Sequence, residues 1–180
     1  MENDREQLLR IIKKDAFFKE KIILSSGKES DYYIDARRVT LTSEGAYLTA
    51  KLMLALLNGE AYDAIGGPTL GADPIIGAIG VLCHQAGRPT KTFIIRKAPK
   101  AHGKQQQIEG PLIKEGAKVV LIDDVATTGK AFIESIEVLK ESGIKAPKAV
   151  CIIDRNEGAK KALADQGCEL ISIFTAKDFL

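Results

Sequence analysis

From Tyr62 to Thr175 the chain alternates short apolar runs with amphipathic stretches, and this rhythm narrows its architecture more than any other feature. The runs YDAIGG, KTFIIRK, KVVLIDD, KAVCIID and CELISIFT read as strands that are apolar on both faces. Between them, ADPIIGAIGVLCHQAG, GKAFIESIEVLKESG and GAKKALADQG read as helices. In the first of these Asp73 suits the N-cap, Pro74 the first helical position and Gly87 the stop. Strands buried on both faces and alternating with helices predict an α/β fold, a parallel sheet flanked by helices on both sides. Ligands of such sheets bind beyond the carboxyl ends of the strands. Three loops are expected there: 66–71, 123–129 and 154–158.

The first 60 residues do not share that rhythm. A helix is expected over about residues 5–18, with Leu8, Leu9, Ile12 and Ala16 on one side. KIILSSGKESDYYIDARRVT then reads as two extended runs around a Ser-Gly-Lys turn, a hairpin, with Tyr32 and Tyr33 as strand aromatics. Ser43 caps the next helix, which runs to Asn58 and stops at Gly59, with Leu48, Leu52 and Leu56 on its buried face. Later, APKAHGKQQQIEGPLIKEGA breaks the strand–helix alternation with a long, initially polar connection that has Gly103 and Gly110 as hinges. Connections of this length are exposed linkers or lids. At 180 residues the chain is expected to be one domain, 1–180, because domains average roughly 150 residues.

A formal net charge of +2 argues against a dedicated nucleic-acid or membrane surface. No apolar run is long enough to span a bilayer, and the charged amino terminus lacks the apolar core of a signal peptide. Cys83, Cys151 and Cys168 lie in apolar stretches without CxxC spacing, which suggests buried thiols in a reducing cytoplasm.

The chemistry concentrates in KVVLIDDVATTGKA, where a strand meets two adjacent acids and a small-residue turn. A Walker loop would need glycine at Asp124 and Ser or Thr at Ala131, and GGPTLG has Pro68 at the second glycine of a dinucleotide fingerprint. A receiver domain would carry its paired acids on its first strand. What remains is a turn whose backbone N–H groups, at a helix start, form a phosphate cradle. Thr127 and Thr128 add hydroxyls, and Gly129 allows close approach. Asp123 and Asp124 are then free to accept from the vicinal hydroxyls of a sugar such as ribose. For a generic Asp-Asp pair, a turn residue at Asp124 and an N-cap at Thr128 would suffice; the whole string points further.

VVLIDDVATTGKA resembles the phosphoribosyl-pyrophosphate signature of type I phosphoribosyltransferases. IIRKAPKAHG resembles the catalytic loop of the orotate phosphoribosyltransferases, SSGKESDYYID their amino-terminal hood, and DRNEG their late Asp-Arg-x-x-Gly loop. The resemblance spans nearly the whole chain. It implies a helix and hood over 1–42, an α/β core over 43–180 and a long flexible catalytic loop.

The implied activity is transfer of a phosphoribosyl group from 5-phosphoribosyl 1-pyrophosphate (PRPP) to orotate, with Mg2+ held mainly by PRPP and water rather than by protein ligands. The resemblance implies that Asp123 and Asp124 take the ribose hydroxyls. The turn of Val125, Ala126, Thr127, Thr128, Gly129, Lys130 and Ala131 takes the 5′-phosphate. Arg96, Lys97, Lys100 and His102 would meet the pyrophosphate and carry catalysis, and Thr127 and Arg155 would meet orotate. It also implies a cytoplasmic homodimer with the catalytic loop shared across subunits, and no nucleic-acid or membrane partner.

Two positions depart from the family pattern. Some members carry a lysine where this chain has Ser25, so Lys28 is the candidate substitute. Some carry a lysine in the pyrophosphate loop, where GGPTLGADP has none, leaving Thr69 and the backbone of Leu70 and Gly71. His84, mid-helix, is expected to be structural, and His102, among lysines in a polar loop, is not. The alternatives are a phosphoribosyltransferase for another base and a non-catalytic PRPP-sensing regulator on the same fold.

Overall fold

A computed structural model describes residues 3–23, 29–98 and 107–180. Helix α1 (Asp4–Asp15) opens on a reciprocal cap: the Glu6 N–H donates to Asn3 Oδ1, and the Asn3 N–H donates to Glu6 Oε2. This satisfies two donors that a first helical turn leaves open. Leu8, Ile12 and Ala16 are fully buried, as expected of that face. The helix stops sooner than expected, because Phe17–Phe18 already forms strand β1. Strands β2 (Ile22–Ile23), β3 (Glu29–Ser30) and β4 (Tyr33–Ile34) follow. β2 pairs with β3 and β1 with β4, both antiparallel. The two extended runs therefore pair, and the Ser-Gly-Lys turn lies outside the described residues.

Arg37–Thr40, which reads as extended, is instead the short helix α2. Val39 and Thr40 are buried. A Cβ on Gly45 would collide with the Val39 backbone, so α2 lies directly on the helix that follows. Tertiary packing here overrides the extended preference of Val-Thr. That next helix, α3 (Ser43–Leu56), is capped by Thr42, whose hydroxyl accepts from the Gly45 N–H. Its buried face runs through Leu48, Thr49, Ala50 and Met53, while Leu56 is exposed. The shift follows from α1, α2 and α4 (Asp73–Gln85) packing around it.

The main sheet contains β5 (Ala64–Pro68), β6 (Lys91–Ile95), β7 (Ile108–Glu109), β8 (Lys118–Ala126), β9 (Lys145–Asp154) and β10 (Glu169–Thr175). Its order is β10-β9-β8-β5-β6-β7. Every neighbouring pair is parallel except β6–β7, an antiparallel edge that the sequence rhythm did not announce. Val120 and Ile122 pack into the layer of α1, α3 and α4, whereas Val119 and Leu121 pack into the layer of α5 (Lys130–Glu141) and α6 (Ala159–Ala164). Successive strand side chains point to opposite faces, so a strand covered on both sides must be apolar throughout. The three cysteines are free and buried. His84, on α4, is exposed and packs nothing into the core. Among the described residues no helix is long and apolar enough to cross a membrane.

Asp73 is the first helical residue of α4, with Ala72 at the cap position, so the expected Asp73 cap is not formed. The Asp73 carboxylate accepts from the Thr69 hydroxyl instead.

From β5 the chain builds outward to β6 and then crosses back to place β8 on the other flank of β5. The crevice therefore opens between the carboxyl ends of β5 and β8. At that point Gly67 is required, since a Cβ there would run into the Ile122 carbonyl oxygen. Overpacking of this kind costs about 1–3 kcal/mol, and a chain of this size loses roughly 2–4 °C per kcal/mol. Gly67→Ala should therefore melt several degrees below wild type by circular dichroism; an unchanged melting temperature would refute the close approach.

Candidate functional site

Strand β8 continues through both acids to Ala126, so Asp123 and Asp124 sit on the sheet rather than in a loop. Two cavities meet here. A cleft of about 680 Å³ is bordered by Asp123 and Asp124, by Thr69, Leu70 and Gly71, and by Arg96 and Lys97. A smaller cavity of about 100 Å³ is bordered by the whole turn from Val125 to Ala131. Asp123 borders both; Asp124 borders only the larger.

The acids are stapled to their own strand end. Asp123 Oδ1 accepts from the Asp124 N–H at 2.9 Å, and Asp124 Oδ1 accepts from the Val125 N–H at 2.7 Å. Burial pushes the Asp123 carboxyl well above the ordinary range, and the neighbouring Asp124 charge pushes it further. Burial also raises Asp124, against the Val125 N–H and the Arg37 guanidinium, which favour its charged form. Gly71 closes over the pair: a Cβ there would lie 2.6 Å from Asp124 Oδ1 and 2.8 Å from Asp123 Oδ1. The 69–71 loop can thus press against both carboxylates only with bare backbone. The Thr69–Leu70 peptide is cis. Thr69 donates to Asp73 Oδ2 at 2.8 Å, while Asp73 Oδ1 is buried with no hydrogen-bond partner among the described residues.

In the smaller cavity the turn ends at Gly129, which has φ +83° and occupies the cap position of α5. Thr128 therefore does not cap this helix. No side chain supplies the cap bond, so first-turn N–H groups are left for an anion. A Cβ on Gly129 would lie 2.6 Å from Leu163 Cδ1 of α6, so the turn is also tightly seated from behind. The exposed Lys130 ammonium pairs with Glu134 at 3.7 Å.

Arg96 and Lys97 reach the cleft from the end of β6. The Arg96 N–H donates to the Gln107 carbonyl at 2.9 Å, and Nη1 lies 3.4 Å from Glu109 Oε1. The unexpected edge strand β7 and Gln107 just before it hold Arg96 in place. Lys28, Lys100 and His102 lie outside the described residues.

Arg155 departs from the simple picture of a cation at a strand end. It borders neither of these cavities and is 5% exposed. Its Nε donates to Glu157 Oε1 at 2.8 Å and Nη2 donates to Ser30 Oγ at 2.9 Å. Its guanidinium carbon stands 4.2 Å from the centroid of the Tyr32 ring. Its backbone N–H donates to the Ala126 carbonyl at 2.9 Å, which sets it beside the turn that carries Thr127. Arg155 thus ties the end of β9 to the hood. Tyr32 is the brace of that tie, its ring also tilted against Phe17, whereas Tyr33 borders the large cleft.

Ser30, Asp35, Arg37 and Glu157 join the site without having been singled out from the sequence. Arg37 borders the large cleft and its Nε donates to Asp35 Oδ1 at 3.1 Å. Glu157 was legible as the acid of DRNEG, two residues beyond the arginine it holds. The other three required the hood to be placed over the sheet. Among the described residues, no group of three or more His, Cys, Asp or Glu side chains is arranged to hold a metal. Asp123 and Asp124 could serve a cation that also draws oxygens from a bound ligand.

Residues 80–176 match the phosphoribosyl transferase domain family. An orotate phosphoribosyltransferase of Thermosynechococcus vestitus is 41% identical over 174 residues, covering 97% of this chain and 92% of that protein. The orotate phosphoribosyltransferase of Mycobacterium tuberculosis, in complex with Fe(III) dicitrate, superposes with a TM-score of 0.85 at 34% identity, covering 98% and 99% of the two chains. The same enzyme in complex with PRPP gives a TM-score of 0.81 at 30% identity, with 98% and 99% covered.

A carboxyl held above its ordinary range binds a proton in the folded state that the unfolded chain has released. The stability it confers is complete below about pH 4 and is lost as pH rises through the raised value. Asp123→Asn keeps the acceptor for the Asp124 N–H and removes that loss. The variant should melt above wild type at neutral pH, with the gap closing toward pH 4, while turnover collapses. Superimposable melting curves across the pH range would refute the electrostatic account.

Proposed function

The chain belongs to the orotate phosphoribosyltransferases within the phosphoribosyltransferase family, and from that premise we infer that it transfers the phosphoribosyl group of PRPP to orotate, giving orotidine 5′-monophosphate and pyrophosphate. The position of Asp123 carries the inference: it borders both the small cavity and the large cleft. A ligand with its phosphate in the turn would present its ribose hydroxyls to Asp123 and Asp124 and extend its pyrophosphate into the cleft. Buried acids with raised pKa values gain most from hydroxyl donors or a cation, which suits that placement.

The turn from Val125 to Ala131 would hold the 5′-phosphate through backbone N–H groups and the two threonine hydroxyls. Arg96, Lys97 and the 69–71 backbone would hold the pyrophosphate. Orotate would lie under the hood, its carboxylate met by Arg155, with Thr127 close to both substrates. Lys100 and His102 would close on the leaving group, and Lys28 would serve the hood side. The reaction must stabilise a developing sugar cation and a departing polyanion, so the side chains act by positioning and charge rather than by covalent attack. The residues fit Mg2+ bound chiefly through PRPP oxygens, with the two acids as nearby hydrogen-bond acceptors; when bound it would neutralise leaving-group charge.

We place the chain as one domain, with a helix and hood over 1–42 and a core over 43–180. The continuous apolar cluster from Leu8 through Ile152 supports this. We also place it as a homodimer whose catalytic loop would reach a partner's site; Leu70, exposed at the rim of the cleft, is available for such a contact. A cytoplasmic location suits substrates of this charge.

Orotate absorbance should fall when the protein is mixed with PRPP and Mg2+, and the purine bases should not be consumed. Consumption of a purine instead would overturn the choice of base, and a flat melting temperature with PRPP and Mg2+ would overturn the assignment. Removing a charge-assisted hydrogen bond costs about 1.5–3 kcal/mol, or one to two decades. Lys100→Ala should therefore lower kcat by that amount with the melting temperature unchanged. Arg155→Ala should raise the orotate KM by a similar factor.

A further inference from the structure

The 69–71 loop has no cation of its own, yet it faces the part of the cleft that must hold the most negative group of PRPP. We propose that Arg37, from the helix that follows the hood, is the missing pyrophosphate-binding cation. This deepens the assignment above and rests on it. Arg37 borders the same cleft as Thr69, Gly71, Arg96 and Lys97. Its charge is felt at Asp124, whose ionised form it favours, so the guanidinium lies within electrostatic reach of the catalytic strand end.

The Asp35 pair occupies Nε, at 3.1 Å. A guanidinium carries five N–H donors in a rigid fork, so pairing at Nε fixes its orientation and leaves an outer edge suited to two phosphate oxygens. The adjacent Arg38 is engaged elsewhere, exposed and 4.9 Å over the Phe18 ring of the hood. Of the two consecutive arginines, the fold turns one to the hood surface and the other to the cleft.

The charge of the described wall favours such a cation. The described cleft wall carries the carboxylates of Asp35, Asp123, Asp124 and three glutamates of α5, against the cations of Arg37, Arg96 and Lys97 alone. Each cation that faces the ligand from this wall lowers the repulsion a pyrophosphate group would meet there. Arg37 enters from the hood side, facing a different part of the ligand from the β6 pair. A lysine on the 69–71 loop would compete with the close backbone contact at Gly71; an arginine from the hood does not.

The test is steady-state kinetics of wild type, Arg37→Ala, Arg37→Lys and Asp35→Asn, with calorimetric titration of inorganic pyrophosphate and Mg2+ into each. Arg37→Ala should raise the PRPP KM and the pyrophosphate Kd roughly ten- to a hundredfold, leaving the orotate KM within about twofold. Arg37→Lys keeps the charge without the fork and should fall between. It also provides the readout if the alanine variant fails to fold.

Asp35→Asn should keep most of the pyrophosphate affinity. If it reproduces the full loss, Arg37 acts only as a structural partner and the proposal fails. It fails equally if Arg37→Ala binds pyrophosphate like wild type. A wild-type protein that ignores orotate but binds pyrophosphate through Arg37 would sink the choice of base and leave this inference standing.

Discussion

Two adjacent carboxylates, Asp123 buried and Asp124 half-buried, sit near the end of β8, and much of the surrounding structure exists to make that tolerable. Burying unpaired charge is expensive, and in proteins the usual response is a shifted pKa. Here the strand meets part of the demand itself, each acid accepting from the next backbone N–H. Arg37 supplies a countercharge from another element. Gly71 keeps the facing loop free of a side chain that would collide with both carboxylates. Gly67 performs the same service one strand earlier, by letting β5 approach the Ile122 carbonyl. The crevice is narrow because two glycines make it so.

The hood depends on the same strand ends from above. Arg155 leaves β9 immediately after Asp154 and is held by Glu157, Ser30 and the Tyr32 ring. Ser30 in turn donates to the Tyr32 carbonyl at 2.8 Å, so the contact fixes the hood's own backbone. Glu157 orients the guanidinium, which on the proposed reading would meet the orotate carboxylate. The hood strands are two residues each and would not be stable alone. Their position is set by this buried tie and by Phe17, which stacks on Phe179 and lies tilted against Tyr32. The end of β9 and the hood are in this sense one construction.

The parallel strands, their helices and the acid–turn motif were legible in the sequence because each is local. Leu121, Ile122 and the two acids are consecutive, and the periodicity of α5 begins at once after Gly129. What was not legible depends on distant partners. β7 is two residues of an otherwise polar connection and becomes a strand only because β6 offers an edge. α2 is helical because Gly45 lets it settle on α3, although Val-Thr favours extension. Asp73 satisfies every local rule for a cap but is drawn to Thr69 by the geometry of the loop. Arg37 looks like any surface arginine after a strand; only the hood's placement brings it beside Asp124. Nothing in the motif itself separates Asp123, which borders both cavities, from Asp124, which borders one.

That asymmetry also bears on how binding and stability are linked. Burial holds Asp123 unfavourably, and the cost is concentrated at one atom group that both cavities share. A ligand that fills only the small cavity meets the turn and one side of Asp123 but not Asp124. A ligand that fills only the large cleft meets the loop and the cations but not the cradle. One molecule spanning both relieves Asp123 from two sides, so its affinity includes recovery of free energy that neither fragment can reach. On the proposed binding mode, stability withheld from the folded chain would be available for selecting a phosphorylated sugar that also carries a leaving group, over free phosphate or free pyrophosphate. On the proposed binding mode the adjacent acids at the end of β8 would add selectivity to their part as ribose acceptors.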